Sequence, residues 1–192
     1  MKALETVSDG RRARAVNSRK RIVAAVLALV REGHVMPSAD VVAERAAVGR
    51  RTVFRLFKDM DSVYAEMHSD ILARVEPLRA IPIEGATPAE RLQRLIDRRV
   101  RLFEEIMAVK IAADLHRQRS AFLKQSHMFM VQQLREILAG TMPPETPPGC
   151  ELFEALDAAL SFDVWRRLRH DQGLSVAQSE AILRRTAGAL LG

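Results

Sequence analysis

The stretch AAVGRRTVFRLFKD, residues 46 to 59, constrains this chain more than any other. It reads as a tight turn followed by a short helix. Arg50, Arg51, Thr52 and Arg55 are hydrogen-bond donors, while Val53, Phe54, Leu56 and Phe57 are bulky and apolar. A helix of that kind is suited to lie between a core and an anion. The preceding segment SADVVAERA, 38 to 46, places Ser38 as an N-cap ahead of Val42, Ala43 and Ala46 at helical spacing. Two short helices joined by a tight turn, the second led by arginines, predict a helix-turn-helix whose second helix enters the DNA major groove.

From Ile22 to Leu72 the chain resembles the DNA-binding region of TetR-family transcriptional repressors. The likeness is carried by an apolar first helix ending at Glu32-Gly33, by the capped helix with Val42-Ala43, and by Ala46-Ala47-Val48-Gly49. It is completed by Thr52-Val53-Phe54-Arg55-Leu56-Phe57. It departs from the usual pattern at several places: Ala47 stands where the turn usually has Gly, and Gly49 replaces a Ser or Thr cap. Phe54 replaces a commoner Tyr, Leu56 a commoner His, and Met60 a common Lys. The resemblance implies contacts with DNA from Ser38, Gly49, Arg50, Arg51, Thr52, Phe54, Arg55 and Lys58. Arg50 or Arg51 is expected at base edges, and Thr52, Arg55 and Lys58 at phosphates.

Charge follows the same division. Residues 1 to 58 hold 13 Lys or Arg against 5 Asp or Glu, a net of +8, whereas residues 59 to 192 hold 17 against 19, a net of −2. The positive end should attract phosphate irrespective of sequence, with a steep salt dependence. Residues 1 to 17, with Gly10, Arg11, Arg12 and Arg14, read as a flexible basic arm, either touching phosphates or a minor groove or making no fixed contact. Residues 18 to 58 then form the DNA-binding domain and 59 to 192 a second domain. Ser18 is expected to cap the first helix, whose stripe of Ile22, Val26, Leu29 and Val30 faces the core.

Helical periodicity continues throughout, so the fold is expected to be all-α, with about nine helices. Val63, Met67, Ile71 and Val75 mark a long fourth helix broken near Pro77, a possible lever between regions. Thr87 caps and Pro88 opens a helix through Met107. The next helical stretch should split near Gln118 to Ser120 and stop at Gly140. The run TMPPETPPG, 141 to 149, is a loop. Residues 151 to 170 read as one helix, and a Ser175-capped helix reaches Leu191.

Chemistry of other kinds finds little purchase. The five histidines include no pair at i, i+4, and the chain has neither a Gly-rich phosphate loop nor a GxSxG elbow, so no metal, no cofactor and no enzymatic activity are expected. Cys150 is alone and no 18-residue apolar run occurs, which predicts a cytoplasmic protein that does not enter membranes. By the resemblance, the C-terminal helices enclose an effector cavity and pair with a second copy. Pocket candidates are Met67, Phe103, Met107, His116 and Phe122, followed by His127, Phe129, Phe162 and Trp165. Interface candidates are Phe153, Leu156, Leu160, Val164 and Leu168 in the penultimate helix, with Leu183 and Leu190 in the last. The expected protein is a homodimeric repressor on a near-palindromic double-stranded operator, released by a small apolar ligand. Its competitors are a regulator working through a protein partner and a helical ligand-binding protein or enzyme.

Overall fold

In a computed structural model, which describes residues 2–34 and 37–192, the chain is all-helical, with no strand among the described residues. Helix α1 spans Lys2–Arg31, α2 Ala39–Arg45, α3 Arg50–Leu56, α4 Met60–Arg79 and α5 Pro88–His116. Then come a 3-10 turn at Arg117–Arg119, α6 at Ala121–Thr141, α7 at Glu151–Ala159 and α8 at Phe162–Arg166. A π-helical turn at Arg167–Asp171 and α9 at Val176–Leu191 complete the chain. Two compact units form. One holds the described residues up to Leu72 with Ala108–Lys124, the other Ala73–Met107 with Gln125–Gly192. Helices α4, α5 and α6 each contribute residues to both.

The core of the first unit is the α1 stripe with Val42 and Ala43 of α2, Ala46 just after it, Val53, Phe57, and Val63, Met67 and Ile71 of α4. Helices α1, α2 and α3 pack pairwise. Their ends are closed locally. The backbone N–H of Gly33, at φ +93°, donates to Val30 O, and that of His34 to Leu29 O, which ends α1. Ser38 Oγ accepts from Val41 N at 3.4 Å to start α2. Asp59 and Ser62 cap α4 reciprocally, the carboxylate accepting from Ser62 N at 2.9 Å. These bonds hold the Asp59 carboxyl below its usual range.

Two expectations need correction here. Helix α1 begins at Lys2 and passes through Ser18 without a break, where an arm to residue 17 and a cap at Ser18 were expected. The segment is rich in Ala, Leu, Glu, Arg and Lys, and one Gly10 costs too little to stop a helix already anchored by its second half. Helix α4 does not break at Pro77 but ends two residues later, at Arg79. The bond from Ala80 N to Glu76 O, 2.9 Å long, spans the proline, whose missing donor costs only one bond in the final turn.

In the second unit Leu92, Leu95, Ile96, Val100 and Phe103 of α5 are buried with Phe153, Leu156, Leu160, Phe162, Trp165, Leu183 and Ala187. Thr87 caps α5 as expected, accepting from Glu90 N at 3.1 Å. That helix then runs unbroken to His116 rather than closing near Met107. The interruption falls at Arg117–Arg119, inside the stretch expected to split. The expected single helix over 151 to 170 is instead divided at Ser161, whose backbone is extended at φ −72°, ψ 159° and whose Oγ starts α8 by accepting from Val164 N. Arg99, only 1% exposed, explains how the division is sustained. Its guanidinium donates to Leu160 O at 2.9 Å and to Leu134 O at 2.6 Å, satisfying a carbonyl released by the break. Burial pulls the Arg99 pKa down to about 10, against the attraction of Asp157.

Candidate nucleic-acid interface

Seven residues give α3 barely two turns, so its periodicity assigns sides without ambiguity. Val53 and the following Phe57 are buried, Thr52 and Leu56 are half-buried, and Arg50, Arg51, Phe54 and Arg55 are exposed, as is Lys58 just beyond the helix. The turn that presents α3 is tight: Ala47 takes φ +48°, and Val48 N donates back to Ala43 O at 3.0 Å. Gly49 occupies the N-cap position and offers no side-chain bond. Arg21 of α1 donates to Ala47 O at 2.9 Å, so the turn is held from outside as well.

On the exposed side, Arg50 Nε lies 3.2 Å from Asp40 Oδ1, and its guanidinium sits 5.6 Å from the centroid of the Phe54 ring. Phe54 is nevertheless 60% exposed. Exposed ion pairs of this kind contribute little to stability, and the arginine remains available to a stronger acceptor. The structure thus brings Gly49, Arg50, Arg51, Phe54, Arg55 and Lys58 together along one short run, with exposed Ser38 opening the neighbouring α2. Chemically this is a patch of cationic donors around one aromatic ring.

Not every basic residue of this end belongs to that patch. Arg19 pairs with Glu66, donates to Leu56 O at 2.9 Å and lies 4.7 Å over the Phe57 ring. Arg45 makes a bidentate pair with Glu32 at 2.6 and 2.7 Å, which lowers the carboxyl pKa and raises that of the guanidinium. Both brace the helices. Sequence reasoning counted their charge without this role, since their partners lie 13 and 47 residues away.

The nine pocket candidates fall in different units. In the first, Met67 is buried, His116 stacks on Tyr64 with centroids 5.8 Å apart, and Phe122 stands edge-on to His68 at 5.7 Å. Tyr64 and His68, missed in the sequence, sit one turn apart on α4, and burial lowers the His68 pKa. In the second unit Phe103 and Phe162 meet edge to face at 5.5 Å, and Trp165 donates its indole N–H to Glu104 at 2.9 Å. Glu104 also receives Arg169. These three aromatic side chains are close-packed core: aromatic spacing on a helix announces burial without saying whether protein or ligand supplies it. Met107 and His127 are half-buried, and Phe129 is 51% exposed.

The interface candidates require a similar correction. Phe153, Leu156, Leu160, Leu168 and Leu183 are buried inside their own unit, where they have no surface to offer a second copy. Only Val164 and Leu190 are partly exposed. A line of apolar residues at i, i+4 fixes a face but not what covers it, and here helices of the same unit do. The last helix instead exposes Ile182 and Leu191, which point to opposite flanks of its buried side.

Among the described residues no cluster of three or more His, Cys, Asp or Glu stands in position to hold a metal ion, and no helix is long and apolar enough to cross a membrane. Compared with known proteins, the chain matches no family model, and no curated protein matches it significantly.

Proposed function

We propose that this chain is a DNA-binding transcriptional regulator of the TetR type, in which α2, the turn through Ala47 and α3 act as a helix-turn-helix. It works as a cytoplasmic homodimer on a near-palindromic operator and represses until a small apolar ligand releases it. One observation carries the DNA assignment: α3 buries Val53 on one side and exposes Arg50, Arg51, Phe54 and Arg55 on the other. A short helix with a cationic outer side, held against two others by a tight turn, has the shape and charge to enter a major groove.

The test is selection of bound sequences from random duplex DNA, followed by titration of the winner. The expected result is a specific site whose affinity falls steeply with salt. The double change Arg50→Ala, Arg51→Ala should abolish the preference for that site, each lost bidentate contact costing about 1–3 kcal/mol. Unchanged affinity and selectivity in the double variant would remove α3 from the reading role.

A second reading is favoured by the closed core around Phe103, Phe162 and Trp165, which leaves these residues no free surface for a ligand. It is a regulator of the same DNA-binding kind that answers to a protein partner. Small molecules that release DNA at concentrations matching their own binding would decide for the ligand; a broad apolar set with no effect would decide for the partner.

A further inference from the structure

Resting on the DNA-reading role proposed above, we infer that Phe54 is a specificity-determining residue that reads the 5-methyl group of a thymine. The fold does not need an aromatic ring at this position. Val53 and Phe57 already close the inner side of α3, while Phe54 is 60% exposed midway along the helix. Its neighbours in the helix and just beyond are Arg50, Arg51, Arg55 and Lys58, all exposed. A ring surrounded by cations is poorly matched to an apolar protein pocket and well matched to a polyanion.

The chemistry narrows the target further. A phenyl ring has no hydroxyl, so it cannot donate to a phosphate, and it offers only carbon surface to the floor of a groove. The apolar group displayed in the major groove is the thymine methyl. Arg50 stands one helical turn before Phe54 on the same side of α3, with its guanidinium 5.6 Å from the ring centroid. The thymine read by Phe54 therefore lies next to the base approached by Arg50.

The experiment starts from a duplex selected by the wild-type protein. Each thymine is replaced in turn by deoxyuridine, which pairs identically and lacks only the methyl group. At one thymine in each half-site the wild-type affinity should fall about three- to fivefold, the effect of one buried methyl. Phe54→Ala should bind the thymine and deoxyuridine forms equally at that position, and Phe54→Leu should keep part of the difference. Thermal unfolding of Phe54→Ala should match the wild type, because the truncated ring is outside the core. Indifference of the wild type to every deoxyuridine, or an undiminished methyl effect in Phe54→Ala, overturns the inference and leaves the DNA-binding role standing. Selection of no sequence at all overturns both.

Discussion

Ala47 holds φ +48°, a left-handed conformation that costs an L-residue with a Cβ about 1–2 kcal/mol. The turn keeps it because Ala46, on one side, is buried, and Val48 N, on the other, bonds to Ala43 O. Relief of that strain outweighs the extra freedom glycine brings to the unfolded chain, so Ala47→Gly should stabilise the protein by about 0.5–1 kcal/mol. A higher urea midpoint at constant slope is the expected reading. Arg99 presents the opposite balance. It is a buried cation serving two backbone carbonyls, and Arg99→Met should leave Leu160 O, at the end of α7, without a donor while Leu134 O loses the second of its two bonds. A loss of about 2–4 kcal/mol in chemical denaturation follows. His68 ties stability to pH. Burial beside Phe122 depresses its pKa, so the folded state takes up fewer protons than the unfolded chain as pH falls. The stability contributed by neutral His68 is present above the unfolded value of about 6.5 and is lost as pH drops through it towards the lower folded pKa. Between about pH 7 and pH 5 the unfolding temperature should decline more steeply for the wild type than for His68→Gln. Parallel declines would exclude this role.

Three helix starts were legible in the sequence, since capping is settled by neighbours within four residues, whereas the start of α1 expected at Ser18 was not and that of α8 at Ser161 was not foreseen. Ser38, Thr87 and Ser175 all cap the helices expected of them, and Ser175 forms a full capping box with Gln178. Ser175→Ala should therefore cost about 1 kcal/mol, read as a lower thermal midpoint. The sides of α3 were legible for a related reason, a helix this short having room to bury only Val53. What escaped was decided at a distance. The division at Ser161 depends on Arg99, 61 residues away from its acceptor Leu160. The π-helical turn is likewise held from elsewhere, with Arg169 bonded to Glu104 and to Leu174 O. That α5 continues past Met107 without a break was not legible either, since helical residues on both sides of that point fit one helix as well as two. The surroundings of Trp165 were likewise set at a distance: the resemblance puts it beside a ligand pocket, whereas its ring is buried and its N–H is satisfied by Glu104, 61 residues away.

For the whole molecule, the proposed dimer sets the strongest demand, because two copies of α3 must address two half-sites related by a two-fold axis. Most of the apolar lines that seemed to offer an interface are consumed inside the second unit, which leaves α9 with Ile182 at 38% exposure and Leu191 at 37%. Neighbouring positions on this helix then have opposite fates. Leu183, 1% exposed, is part of the subunit's own core, so Leu183→Glu would bury an unpaired carboxylate and unfold the protein rather than separate two folded copies. Ile182→Glu leaves that core intact and places its charge outside. We expect Ile182→Glu to retain the wild-type unfolding temperature while its mass by light scattering at micromolar concentration halves. Its base preference at a single half-site should survive, since α3 is untouched, but the full operator should no longer be bound more tightly than half of it. A dimer mass for Ile182→Glu would move the interface off this side of α9, and a folded monomer in the wild type would remove the two-fold operator from the proposal.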